Sequence, residues 1–373
     1  MRILHLADVH LDRRFAGLGA PAARRRRADL RAALERALAL ANEREVDLVT
    51  IGGDLWEDEH VTADTRRFVA RAFEQLARPV LAICGNHDPW IAGGHYERTP
   101  WPPNVRICHS DRLQEFAFDE ASVWAVSWTG GRPSYGVLET FRVPADGRAH
   151  VLLLHGTACS LPPGLAGDAA RYGPFDPRAI ERCGFALCLA GHIHHGQRIG
   201  PVVYPGSPEP LDWSETGRHA VALVEIAGTA AEVELVDINT WRYGEIVVDC
   251  TGVESSAEAA ARVAAALASA AGDRLCLRVA LRGPVAAECE IDPEAVAASH
   301  RDRFGGLIVL DETVPAYDLD ELARHRSAVG YFVRDLRERL AAAGDERERR
   351  RLERALHLGL HALHGRRNLL HVE

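Results

Sequence analysis

Ile3-Leu4-His5-Leu6-Ala7-Asp8-Val9-His10 is a short, almost wholly apolar run that ends on a carboxylate and an imidazole. An apolar run of this length, stopped by polar residues, reads as a β-strand buried on both faces. The Ala-, Leu- and Arg-rich residues 24–42 that follow predict a helix. The pattern then repeats. Val46-Asp47-Leu48-Val49-Thr50-Ile51 predicts a second strand, residues 62–76 a helix, and Pro79-Val80-Leu81-Ala82-Ile83 a third strand. Further apolar runs at 122–126, 150–154, 185–189 and 220–226 lie closer together. Strands alternating with helices early and crowding later predict an α/β fold, a β-sandwich flanked by helices.

Composition excludes several classes of function. With 373 residues, 47% of them hydrophobic, the chain can bury one large core and smaller attachments. No stretch approaches the roughly 20 apolar residues of a membrane span, and Asp8 comes too early for a secretory signal. A soluble cytoplasmic protein is expected. The eight cysteines include no Cys-x-x-Cys pair, and most sit in apolar runs such as Leu187-Cys188-Leu189, which predicts reduced core thiols. All 44 basic residues are arginine. The lack of lysine rules out a Walker-type phosphate loop and Schiff-base chemistry. A net charge of −9 opposes bulk attraction to nucleic acid, so any phosphate-binding surface must be local, built from metal ions and clustered arginine.

Ligand-capable clusters follow the β-type runs: Asp8-Val9-His10, Gly52-Gly53-Asp54, Gly85-Asn86-His87-Asp88, His155-Gly156 and Gly191-His192-Ile193-His194. The C-terminal ends of strands are where α/β sheets place active sites. In extended backbone, residues two apart face the same way, so Asp8 with His10, and His192 with His194, are each expected to grip one ion. Singly, a histidine after a strand is an ordinary structural residue, Asp54 could cap a helix and Asn86 could form a turn. All of them together, each at a strand end, point to a metal centre. Imidazole, carboxylate and amide oxygen suit Mn²⁺, Fe or Zn rather than Ca²⁺, and the lack of thiolate argues against a structural zinc. Asp8 and Asp54 leave two divalent ions with net positive charge for phosphate oxygens. A bridging carboxylate holds such ions roughly 3.5–4 Å apart, close enough to clamp one phosphoryl group.

These clusters resemble the five motifs of the calcineurin-like metallophosphoesterases, a resemblance that covers residues 1–226. It implies one metal held by Asp8, His10 and His194, and a second by Asn86, His155 and His192, with Asp54 bridging them. His87 would be the catalytic residue that protonates the leaving oxygen or stabilises the transition state, and Asp88 its orienter. The cofactors implied are two divalent ions, with Mn²⁺ expected. His5-Leu6-Ala7-Asp8-Val9-His10-Leu11-Asp12 and Tyr204-Pro205-Gly206-Ser207-Pro208 further resemble the DNA-repair exonuclease branch, that of SbcD and the Mre-type nucleases. That branch implies a metal-dependent DNA nuclease, homodimeric, serving as the nuclease subunit of an SbcC-like coiled-coil ATPase complex. The rivals are a small-molecule phosphodiesterase or nucleotidase of the same fold, and a DNA-end-binding scaffold with weak nuclease.

The expected organisation is a metallophosphoesterase domain at 1–240, a small α/β capping domain at 241–314 and a helical segment at 315–373. A β-α-β pattern over 245–248, 255–270 and 274–281 marks the second of these. In the third, Leu319, Leu322, Val329, Phe332, Val333, Leu336 and Leu340 form one stripe, which fits either self-packing or docking of the ATPase partner. Arg13 and Arg14, beside Asp12, are candidate substrate contacts. Arg24-Arg25-Arg26-Arg27 reads as a solvated helix face or a DNA-phosphate contact. Trp90, Trp101, Trp128 and Trp213 could stack on unpaired bases or pack in the core. His195 is expected to point away from the His192/His194 pair.

Overall fold

The computed structural model describes residues 1–16, 18, 20–131, 135–161 and 172–363, so residues 364–373 of the expected C-terminal segment lie outside the described residues. The chain divides into two units, Met1–Arg242 and Tyr243–Glu373.

The first unit begins with β1 (Arg2–Leu6), α1 (Ala20–Glu43), β2 (Leu48–Gly52), α2 (Ala63–Glu74), β3 (Val80–Ile83), the one-turn α3 (His95–Arg98) and β4 (Val105–Ile107). It continues with β5 (Gln114–Ala117), β6 (Ala121–Ala125), β7 (Ala149–His155), β8 (Thr157–Ala158), β9 (Pro174–Phe175), α4 (Pro177–Cys183) and β10 (Leu187–Gly191). The unit closes with β11 (Gln197–Ile199), β12 (Val202–Tyr204), β13 (Ala220–Ala227) and β14 (Ala230–Asp237).

Twelve of these strands build two six-stranded sheets, ordered β14-β13-β1-β2-β3-β4 and β11-β12-β10-β7-β6-β5, while β8 pairs with β9. Ile3, Leu48 and Leu81 of the first sheet pack against Val151, Leu153 and Leu189 of the second. On the other side of the first sheet, Leu4, Leu6, Val49 and Ile51 meet Leu30 and Leu34 of α1 and Val69 and Phe73 of α2. The far face of the second sheet carries Leu152, Leu154 and Cys188, which pack on Ala179, Ile180 and Cys183 of α4. Both faces of each inner strand are therefore buried, which is why these strands read as continuous apolar runs rather than alternating ones. The α/β sandwich flanked by helices is the observed architecture.

Register brings the clusters together. β1, β2 and β3 run parallel, with Leu6 beside Ile51 and Gly52 beside Ile83. In the second sheet β7 and β10 are parallel, with His155 beside Gly191. All five clusters thus leave strands at the ends from which ligands are usually offered.

The second unit contains β15 (Arg242–Asp249), α5 (Ser256–Ala266), β16 (Gly272–Ala286), α6 (Pro293–Ala298), β17 (Phe304–Ala316), α7 (Leu319–Arg324), α8 (Ala328–Ala342) and α9 (Glu346–Leu363). Its sheet has the order β15-β16-β17, with β16 and β17 parallel. Val263 of α5, Leu277 and Val279 of β16, Val296 of α6 and Val309 of β17 share one core. A second cluster joins Val333 and Leu336 of α8 to Leu356 and Leu360 of α9, with Leu319, Leu322, Val329, Phe332 and Leu340 against it. The expected boundary after Val314 falls inside β17, and the helices belong to the same unit as the sheet. Among the described residues, no helix is long and apolar enough to cross a membrane.

Candidate metal centre

The loops after β1 and β2 are bonded backbone to backbone. Asp8 N–H donates to the Gly53 carbonyl at 3.1 Å, His10 N–H to Asp54 at 3.0 Å and Leu11 N–H to Leu55 at 3.0 Å. Asp8, His10 and Asp54 take φ of 56°, 48° and 51°, and His192 takes 95°. The expectation that extended backbone aligns Asp8 with His10 and His192 with His194 is therefore corrected. Left-handed turns, which non-glycine residues adopt at a cost, aim these side chains instead. Glycine permits the crowding this requires. A Cβ on Gly85 would stand 2.2 Å from Asp54 Oδ1, and one on Gly53 2.6 Å from His155 Nδ1.

The imidazoles converge on Asp54. Its Oδ2 lies 3.5 Å from His10 Nε2 and 3.3 Å from His155 Nε2, and all three side chains are buried. His155 Nε2 is also 2.9 Å from Asn86 Oδ1, while its Nδ1 faces the Gly52 carbonyl at 2.8 Å. Among the described residues, three groups bring potential ligand atoms within 4.8 Å of one another: Asp8, His10 and His194; His10, Asp54 and His87; and Asp54, His155 and His192. All the sequence-predicted ligands are thus brought together.

The arrangement has a cation-shaped deficit. His10 Nδ1 is 3.0 Å from Glu57 Oε1, and its Nε2 is buried without a hydrogen-bond partner among the described residues. A neutral His10 donating to Glu57 aims the Nε2 lone pair towards a carboxylate oxygen. Buried acceptors facing each other are unfavourable unless a cation stands between them, so these residues fit a divalent ion. Electrostatics agrees. Burial lowers the basicity of His155, but Asp54 and Asp8 outweigh it and raise the pKa to about 9. Burial acts likewise on His194, and Glu215 and Asp8 raise it to about 9. The site demands positive charge, which protons supply when metal does not.

Asp88 does not orient His87. Fully buried, its carboxylate accepts the backbone N–H groups of Asp54 at 3.0 Å, Leu55 at 2.6 Å and Gly85 at 2.7 Å, and the Tyr96 hydroxyl at 2.6 Å. It staples the second and third motif loops together. The partner of His87 is Glu57, with Oε2 2.9 Å from His87 Nδ1. That bond, before any other influence, raises the His87 pKa above its ordinary value. His87 keeps 44% of its side chain exposed, so it is open to a substrate. Glu57 follows Asp54 within the same loop, but a lone carboxylate in a polar turn gives no sequence signal.

The other candidates scatter. Arg13 pairs with Glu57 Oε1 at 3.3 Å and so reaches the rim of the site. Arg14 is exposed, and its carbonyl accepts from Arg27 at 3.4 Å. Asp12 is turned to the start of α2, where it accepts from Thr62 N–H at 2.9 Å and the Thr65 hydroxyl at 2.6 Å. Arg26 is buried, its guanidinium 4.5 Å from the Trp241 ring centre and 5.1 Å from that of Phe15, so residues 24–27 are not uniformly a solvated face. Trp101 stacks on Trp56 and Phe73, and buried Trp128 donates to the His155 carbonyl at 2.9 Å. Those two indoles pack rather than wait for bases. Trp90 packs partly buried against the α1–α2 core, and Trp213 is half-buried. His195 lies against His219, with ring centres 6.5 Å apart.

Residues 1–196 match the family described as calcineurin-like phosphoesterase, a span that holds every ligand named above. The chain belongs to this family. Calcineurin-like phosphoesterases are hydrolases that use divalent metal ions, and this member retains candidate ligand groups for them. It is similar to the uncharacterized metallophosphoesterase YhaO of Bacillus subtilis, 26% identical over 302 residues that cover 76% of this chain and 72% of YhaO. It is also similar to the DNA double-strand break repair protein Mre11 of Methanopyrus kandleri, 24% identical over 299 residues. That match covers 70% of this chain and 62% of Mre11. Among solved structures, TT1561 of Thermus thermophilus is similar at 14% identity and a TM-score of 0.37, covering 63% of this chain and 98% of that one.

Proposed function

We propose that this calcineurin-like phosphoesterase is a metal-dependent DNA nuclease that hydrolyses phosphodiester bonds at DNA ends. The observation that carries the chemistry is Asp54 Oδ2 lying between His10 Nε2 and His155 Nε2, with His87 open to solvent on the same loops. Asp8, His10 and His194 would hold one ion, Asn86, His155 and His192 the other, and Asp54 both. When bound, the ions, Mn²⁺ by preference, supply Lewis acidity to a phosphodiester and lower the pKa of water. Glu57 fixes the ring of His87 and favours its protonated form, so His87 can give a proton to the leaving oxygen. Asp88 holds the backbone of Asp54, Leu55 and Gly85.

DNA as substrate is supported by the similarity to the Mre11 of Methanopyrus kandleri, a DNA double-strand break repair protein. In the same reading the chain is homodimeric and cytoplasmic, and its helices from Leu319 onward dock an SbcC-like coiled-coil ATPase. The test is incubation of purified protein with end-labelled single- and double-stranded DNA in Mn²⁺, beside a metal-free control. Metal-dependent shortening of the labelled ends is expected. Hydrolysis of bis-p-nitrophenyl phosphate with DNA left intact would replace the nuclease by a small-molecule phosphodiesterase.

A further inference from the structure

The segment from Pro205 to His219 wraps the last metal ligand from behind. Gly206 takes φ of 81°, and a Cβ there would stand 2.6 Å from the His194 carbonyl oxygen. Ser207 N–H donates to that same oxygen at 3.1 Å. The carboxylate of Glu215 then meets the imidazole itself, with Oε1 2.7 Å from His194 Nδ1. Its other oxygen accepts the Leu211 N–H at 2.8 Å and the Ser207 hydroxyl at 3.2 Å. His219 closes the group, with Nδ1 3.0 Å from the Ser207 hydroxyl and Nε2 3.1 Å from the Glu215 carbonyl. Glu215 is only 7% exposed, so water does not compete for these bonds.

We propose that Glu215 is the positioning residue of the metal site formed by Asp8, His10 and His194. It fixes the His194 ring and the tautomer that leaves Nε2 free for an ion. A carboxylate only accepts, so the imidazole proton facing it sits on Nδ1 and the lone pair on Nε2. Partners of this kind orient ligating histidines and raise their basicity. The sequence motif Tyr204-Pro205-Gly206-Ser207-Pro208 thereby acquires a physical role: it builds the turn from which Ser207 supports Glu215. This inference rests on the ligand assignment proposed above.

Glu215→Gln inverts the chemistry while keeping the shape. Leu211 N–H can only donate, so the amide must turn its oxygen that way and present its NH₂ to His194 Nδ1. Nδ1 then becomes the acceptor, the proton moves to Nε2, and that nitrogen must lose the proton before it can bind an ion. Manganese titration by calorimetry, with metal content measured after gel filtration, should show two ions on the wild type. The Gln variant should keep the ion at Asp54, His155 and His192 and bind the other about 10–100-fold more weakly. A metal-free melting curve near that of the wild type separates this from unfolding. Wild-type protein that binds no metal would defeat the ligand assignment itself. Two ions at wild-type affinity in the variant would overturn the role of Glu215 alone. A second measurement needs no folded variant. Imidazole ¹⁵N correlation spectra of Zn²⁺-loaded wild-type protein should place the His194 proton on Nδ1, and a proton on Nε2 overturns the inference.

Discussion

Glu57 Oε2 lies 2.9 Å from Nδ1 of His87, while Oε1 of the same carboxylate lies 3.0 Å from Nδ1 of His10. One side chain thus orients both a candidate metal ligand and the candidate acid. Glutamine has a single acceptor oxygen, so Glu57→Gln must leave one imidazole without an acceptor for its Nδ1 proton. Such a loss of an orienting partner typically costs about 10–100-fold. The expected outcome is a drop of that size in kcat for a phosphodiester, or in Mn²⁺ affinity, depending on which ring is abandoned. Steady-state kinetics and metal titration on one preparation check it; wild-type values in both would remove Glu57 from the machinery.

In the proposed mechanism His87 is an acid and not a ligand. His87→Ala should retain metal content near that of the wild type and slow hydrolysis about 10²–10⁴-fold, the usual contribution of general acid–base catalysis. The deficit should shrink for a p-nitrophenyl diester, whose leaving group needs little protonation. Equal deficits on both substrates, or loss of metal, would give His87 another role.

The convergence of the candidate ligands was legible because each stands at the end of an apolar run, and parallel register carries strand ends to one place. The partners that orient those ligands were not. Asp88 is next to His87 in sequence, but its carboxylate is turned to the backbone N–H groups of Asp54 and Gly85. Glu57 and Glu215 come from polar turns, where a carboxylate looks like any solvated residue. Fold class was readable from the buried strands. β17 was not expected as a separate strand, because its apolar run is broken by Gly305-Gly306 near the start and by Asp311-Glu312-Thr313 and Pro315 towards the end.

Removing the proposed bridge tests the centre as a whole. Burial opposes ionisation of Asp54, but His155 and His10 flank it and, with the nearby His87, hold its carboxyl well below the usual carboxylate range. Asp54→Asn should bind both ions poorly and abolish hydrolysis. Binding to the folded state alone stabilises it by about 2.7 kcal/mol at a free ligand concentration 100 times Kd. Mn²⁺ should therefore raise the Tm of the wild type, EDTA should reverse the rise, and the variant should show neither. A variant that still carries two ions at wild-type affinity would deny Asp54 the bridging position.

The C-terminal helices give the last test, because their packing decides where a cut can be made. Val333, Leu336, Leu356 and Leu360 make a core of their own, lined by Tyr317, Leu319, Leu322, Val329, Phe332 and Leu340. Residues of the β15–β17 sheet core, such as Leu277, Val279 and Val309, form a different cluster. A chain ending at Ala316 keeps β17 whole and removes the helical core with all its members, so little apolar surface is bared. A chain ending at Val333 keeps that one core residue and most of its lining and strands them in water, where each large apolar side chain forfeits about 1.5–3 kcal/mol of burial. The chain ending at Ala316 should stay soluble, melt within a few degrees of the full chain and cleave small diesters normally. The chain ending at Val333 should aggregate. If the helices dock the proposed ATPase, the Ala316 form should also fail to retain it in a pull-down and lose ATP-dependent processing of duplex DNA. Retention of the ATPase by that form would place docking elsewhere, and aggregation of that form would show that the helices are part of the unit's own core.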